Sequence, residues 1–181
     1  VENSGNAEFE KQINQRIEEE LDHLSAEARE QAEALKKEAA GQEEPYSPVD
    51  FYADYHIHYN QGTLLSFSID TTTTMASGYD QRYFFNLDLE TGQELTLTEV
   101  IGQDKLEAAD QQIRAQIEQR LAEDPSSFFD FSEEGGYSGL KADQKFYINE
   151  NRQVVVVFDE YEIAPGSSGT PEFILNLPLL K

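Results

Sequence analysis

The chain contains no cysteine. Disulfide frameworks, thiolate metal sites and cysteine nucleophiles are therefore excluded. Basic residues are scarce: 13 Lys and Arg stand against 36 Asp and Glu in 181 residues, a net charge of −23. A field of that sign repels nucleic acid and anionic membrane surfaces and attracts basic proteins or cations. No apolar run is long enough for a membrane span or a signal-peptide core. The chain opens on Val1 in polar sequence, so an upstream signal or anchor is expected to lie outside it. No glycine-rich phosphate loop is present, and Ser77-Gly78 and Ser167-Ser168-Gly169 lack the Gly-x-Ser-x-Gly elbow. With no catalytic constellation and no cofactor motif, no enzymatic activity and no cofactor are expected.

The acidity is spread along the chain. Residues 1–48 carry 13 acidic and 5 basic side chains, or −8, and the remainder carries 23 and 8, or −15. No Lys or Arg occurs between Val49 and Gln81, nor between Gln153 and Leu180. Hydrophobic residues make up only 38%, but 11 Phe and 9 Tyr lie mostly after residue 45, so a folded core is expected there.

The spacing of Phe9, Ile13, Ile17, Leu21, Leu24, Ala28, Ala32 and Leu35 predicts one helix over Glu8–Ala40, with Asn6 as N-cap and Gly41 as stop. The strong part of the stripe spans too few heptads for a stalk, so docking on the domain is expected over a coiled coil. A linker with two prolines, residues 42–48, follows. Phe51, Tyr55, Ile57 and Tyr59 fall on one face of a strand, and Tyr52, Asp54, His56 and His58 on the other. Asn60-Gln61-Gly62 reads as a hairpin turn into Leu64–Thr74. Further strands are expected at Tyr79–Leu89, Glu94–Leu97, Lys145–Ile148, Val154–Tyr161 and Phe173–Leu177. Leu106, Ala109, Ile113, Ile117 and Leu121 mark a second helix closed by Pro125. Val154–Phe158 lacks polar alternation and should lie in a sheet centre, covered on both faces. The expected class is α+β: a long N-terminal helix and a second helix packed on one mainly antiparallel β-sheet. Residues 1–48 are read as helix and linker, docked on an α+β binding domain at 49–181, as one structural unit overall.

Three constellations have metal or acid–base potential. His56 and His58, two apart on a strand, could chelate zinc or copper, but only the distant His23 offers another imidazole. Asn86, Asp88 and Glu90 before Gly92 resemble a calcium loop without its ligand spacing. Asp159 and Glu162 are one of many carboxylate pairs that 36 acidic residues make inevitable. The expectation is no metal.

Four segments, in order, carry a resemblance: Ile13-Asn14-Gln15-Arg16-Ile17, Leu65-Ser66-Phe67-Ser68-Ile69, Asn86 to Leu97 with its Thr91-Gly92 turn, and Tyr161-Glu162-Ile163-Ala164-Pro165 running on to Pro171-Glu172-Phe173. Together they resemble the extracellular domain of RsiV-like anti-sigma factors, bacterial envelope sensors of which the best known binds lysozyme. The resemblance implies a sensor on the cell surface, tethered by a membrane segment outside this chain, that binds a basic lysozyme-like protein. A cell-wall glycan is the alternative partner, because related domains also precede peptidoglycan-modifying enzymes. Two loops would carry the contact: Ala76-Ser77-Gly78-Tyr79 and Pro165-Gly166-Ser167-Ser168-Gly169. Both depart from the family pattern. The first lacks a Gly-Gly-x-His sequence, and Gly166 stands where the family usually has Tyr.

Overall fold

The computed structural model describes residues 1–39, 48–74, 78–128 and 136–180. Its elements are α1 (Ala7–Ala39), β1 (Asp50–Gln61), β2 (Leu64–Thr74), β3 (Gly78–Asp88), β4 (Gln93–Glu94), α2 (Leu97–Ile101), α3 (Leu106–Glu123), β5 (Phe146–Ile148), β6 (Val154–Val157) and β7 (Glu172–Leu175). The fold is α+β, as the pattern predicts. The single sheet is not found: β1-β2-β3-β4 form one sheet and β5-β6-β7 another. The chain divides into two compact units, one of residues 1–56 with 69–82 and one of residues 57–68 with 83–181.

In the first unit, Asn6 caps α1, its Oδ1 accepting the Phe9 N–H at 3.1 Å. Gly41, the expected stop, lies outside the described residues. Phe9, Ile13, Leu24 and Ala28 are buried, while Ile17, Leu21, Ala32 and Leu35 are half-buried. Leu24, Glu27, Ala28 and Gln31 of α1 share a cleft of about 170 Å³ with Phe51, Thr73 and Gln81 from β1, β2 and β3.

The second unit holds the main core. In the antiparallel β5-β6-β7 sheet, Val156 pairs with Phe146 on one side and Phe173 on the other. Val154 to Phe158 are each no more than 2% exposed, so the central position expected for this run is found. Val154, Val156 and Phe158 pack in one cluster with Ala109, Ile113 and Ile117 of α3 and with Leu97, Val100 and Ile101 of α2. Each Val, Leu, Ile or Phe side chain among them contributes roughly 1.5–3 kcal/mol on burial. On the opposite face, Tyr147 lies beside Val155 and stacks on His58 at 4.0 Å.

The three-stranded sheet is small, and side chains satisfy both of its edges. Along β5, the Ile148 N–H donates to Ser66 Oγ at 2.9 Å, and Asn86 Nδ2 donates to the Phe146 carbonyl at 2.8 Å. Along β7, Arg120 Nη2 donates to the Glu172 carbonyl at 2.7 Å and Gln116 Nε2 to the Ile174 carbonyl at 3.0 Å. The Asn176 N–H donates to Gln112 Oε1 at 2.8 Å. Gln112, Gln116 and Arg120 are four apart, so one face of α3 presents all three. Backbone groups that would otherwise extend the sheet are thus closed off, and two sheets form where one was expected.

Two elements also end differently from their predicted bounds. The expected strand Glu94–Leu97 stops at Glu94, because Thr96 and Glu99 form a reciprocal capping box that starts α2. The expected strand to Tyr161 stops at Val157, and the chain turns where the Asp159 N–H donates to Glu162 Oε2 at 2.9 Å.

Candidate functional site

The C-terminal turn is built outward from β6. Asp159, just past the strand, takes both its oxygens to Lys145 Nζ at 2.7 Å. Glu162 accepts from Lys141 Nζ, and this hydrogen bond raises the lysine's pKa. The carboxylate pair Asp159 and Glu162 is therefore occupied by ion pairs and is not arranged as an acid–base dyad. Ile163 and Ala164, 4% and 0% exposed, pin the next two residues into the core.

Between these anchors stands Tyr161. Its φ of +65° is a left-handed conformation that a bulky side chain rarely adopts. Its ring is 63% exposed. A Cβ placed on Gly166 would lie 2.3 Å from the Tyr161 ring and hydroxyl, so the aromatic ring fills the space a side chain at 166 would need. Pro165 enters a single 3-10 turn, Gly166–Ser168, closed by the Ser168 N–H to the Pro165 carbonyl at 2.8 Å. Gly169 leaves it at φ +62°, a conformation suited to glycine. Ser168 Oγ donates to the Ser127 carbonyl at 2.8 Å and ties the turn to the segment after α3. Ser167 and Ser168 are exposed, and Pro165, Gly166 and Gly169 are half-buried. The result is a short rigid loop crowned by one exposed aromatic ring.

Of the first loop, Ala76 and Ser77 lie outside the described residues, and Gly78 and Tyr79 open β3, with the Tyr79 side chain likewise outside them. His56 is exposed on β1, whereas His58 is half-buried, its Nε2 3.1 Å from Ser68 Oγ. His23 sits on α1, 3.9 Å from Glu27. Among the described residues no group of three or more His, Asp or Glu is placed to hold a metal ion. The calcium-like triplet is used structurally: Asn86 bonds β5, and Asp88 Oδ1 accepts the Glu90 and Thr91 N–H groups at 3.0 and 3.2 Å. Sequence reasoning singled out the turn but missed Tyr161 as its aromatic. The available signal was an aromatic between acidic residues immediately before an Ala-Pro-Gly turn.

Fold and turn together define an α+β domain that presents a short, hydrogen-bonded C-terminal turn with an exposed Tyr161. Residues 98–177 match the family model described as Protein of unknown function (DUF3298), and residues 1–73 match that of Deacetylase PdaC. The chain is 32% identical over 130 residues to the anti-sigma-V factor RsiV of Bacillus subtilis (strain 168), covering 70% of this chain and 46% of that protein. It thus spans about half the length of that relative. A solved DUF3298 family member from Bacteroides fragilis matches with a TM-score of 0.62 at 20% identity, covering 90% of this chain and 65% of the other. Another, from Pseudomonas aeruginosa PAO1, matches with a TM-score of 0.53 at 19% identity, covering 79% and 63%. These two support the fold. The chain carries an RsiV-like domain. Among its described residues no helix is long and apolar enough to cross a membrane.

Proposed function

We propose that this chain is the extracellular ligand-binding domain of an anti-sigma-like envelope sensor, and that it binds a basic protein such as lysozyme through the Pro165–Gly169 turn. The observation that carries this reading is the exposed Tyr161 ring seated on Gly166, held over a turn fixed by buried Ile163 and Ala164. A rigid loop bearing one aromatic is a good interface anchor, since tyrosine buries a large area at little entropic cost. The net charge of −23 steers a cationic partner toward the domain as a whole, while Lys145 and Lys141 pair with Asp159 and Glu162 beside the turn, so the aromatic ring and not local charge anchors the contact. The reading extends to the Ala76–Tyr79 segment as a second contact, with Tyr79 as its aromatic. The test is titration calorimetry with hen egg-white lysozyme at low and moderate salt. Binding that weakens as salt rises supports the reading. No heat at either salt removes lysozyme as the partner.

The match of residues 1–73 to the Deacetylase PdaC model favours one other reading, a domain that binds cell-wall glycan beside a wall-modifying enzyme. Sedimentation with purified peptidoglycan separates the two. Retention on peptidoglycan without a lysozyme heat supports the glycan reading.

A further inference from the structure

We propose that the outer edge of β1, over Asp50–Tyr55, accepts an extended lysine- or arginine-bearing segment of a partner protein as an added strand. β1 is the terminal strand of its sheet and is 12 residues long. Long edge strands with exposed apolar side chains are templates for strand addition, and proteins usually blunt them. This molecule does so elsewhere: Ser66 and Asn86 close the β5 edge, and Gln112, Gln116 and Arg120 close the β7 edge. Among the described residues, the side-chain bond made by the Tyr55 N–H of β1 is local, to Asp54 Oδ1 of the preceding residue at 2.8 Å. Such a bond occupies the amide without covering the strand. Tyr52 and Tyr55 are 66% and 68% exposed, in a protein whose other large apolar groups are mostly buried.

Charge selects the occupant. The stretch from Val49 to Gln81 contains Asp50, Asp54, Asp70 and Asp80 and no Lys or Arg. A second copy would bring the same acidic strand and another net charge of −23, so self-pairing is opposed. A basic segment is favoured. Its ammonium or guanidinium group would draw the Asp54 carboxylate away from the Tyr55 N–H, freeing that donor for the incoming strand. Tyr52 and Tyr55 would flank the added chain and cover its side chains. This surface shares no residue with the Pro165–Gly169 turn.

The probe is a fluorescein-labelled ten-residue peptide of alternating lysine and threonine, titrated with the full chain and followed by anisotropy at low salt. Its counterpart is N-methylated at every second residue, with the same charge but no donors along one edge. Saturable binding is expected, weaker by about tenfold for the N-methylated peptide, the scale of one or two lost hydrogen bonds. Tyr55→Ala should lose a similar factor, and Asp54→Asn should flatten the salt dependence. Both side chains are exposed, so both variants should melt with the parent. Amide shifts should fall on residues 50–55. Equal binding of both peptides, no binding, or shifts confined to other segments overturns the proposal. Concentration-dependent dimerisation abolished by Tyr55→Ala would replace the basic segment with a second copy. Tyr161→Ala should leave the peptide affinity unchanged, so failure of the lysozyme reading and failure of this one are distinguishable.

Discussion

Ser66 donates its hydroxyl proton to Asn86 Oδ1 across 2.7 Å while both side chains bond the backbone of β5. Ser66 is 0% and Asn86 3% exposed, so this polar link is made away from water. Every partner in it is satisfied, which is the condition under which a buried polar network stabilises a unique arrangement. Removing either member leaves a β5 backbone group without its partner. Ser66→Ala and Asn86→Ala are each expected to cost about 1–3 kcal/mol. Because the two share one network, the double variant should cost less than the sum, by roughly 0.5 kcal/mol or more. Urea titrations of the four proteins give the cycle. Strict additivity would show that the two side chains act independently.

Val156 tests the centre of the same sheet. It is 0% exposed and faces Phe146 and Phe173 from the two neighbouring strands. Val156→Asp places an unpaired charge in that layer, and the expected outcome is loss of cooperative folding. Even one kcal/mol moves the midpoint of a domain this size by about 2–4 °C, so a melt within a degree or two of the parent would refute the packing.

Much of this core was legible in the sequence. Five successive apolar residues at 154–158 marked a central strand, and Ala109, Ile113 and Ile117 marked the helix that covers it. The division into two sheets was not legible. It depends on Ser66, Asn86, Gln112, Gln116 and Arg120 reaching backbone groups distant in sequence, and no periodicity records such bonds. α2 had a local signal, Thr96-Leu97-Thr98-Glu99, that the apolar–polar alternation of Glu94–Leu97 obscured. At the candidate site, Pro165 and Gly169 announced a turn, but the seating of the Tyr161 ring on Gly166 depends on an unusual φ that residue identity does not announce.

Alkaline pH probes the other end of the core. The Tyr137 hydroxyl donates to Asp110 Oδ1 at 2.7 Å, and Arg114 bonds the other carboxylate oxygen at 2.8 Å. Burial, aided by the hydrogen bond to Asp110, raises the pKa of Tyr137 well above its ordinary value of 10.0. Its contribution is therefore fully present below pH 10 and is lost as pH rises, since the unfolded tyrosine ionises first. The slope is about 1.4 kcal/mol per pH unit for one such group. Tyr137→Phe should flatten the fall in the urea midpoint between about pH 10 and 11.5. An unchanged slope would assign the alkaline loss to other groups.

Tyr161 should show stability and binding moving in opposite directions. Its φ of +65° costs a non-glycine residue roughly 1–2 kcal/mol, and its ring is too exposed to recover much by burial. Tyr161→Gly removes that strain, at the expense of a more flexible unfolded chain. The expected net result is a melting temperature equal to or above that of the parent. Gly166→Ala acts on the same contact from the other side, because the new Cβ must displace the ring. It should lower stability in the parent and have little effect in the Tyr161→Gly background. If the ring is the partner's anchor, Tyr161→Gly should weaken lysozyme binding by about tenfold or more, the scale of a tyrosine hot spot. Tyr161→Phe keeps the ring and should retain most of the affinity. Calorimetry and thermal melts on the four variants read both effects. A Tyr161→Gly protein that binds like the parent would remove this ring from the interface. A marked fall in its melting temperature would instead show that the ring supports the turn.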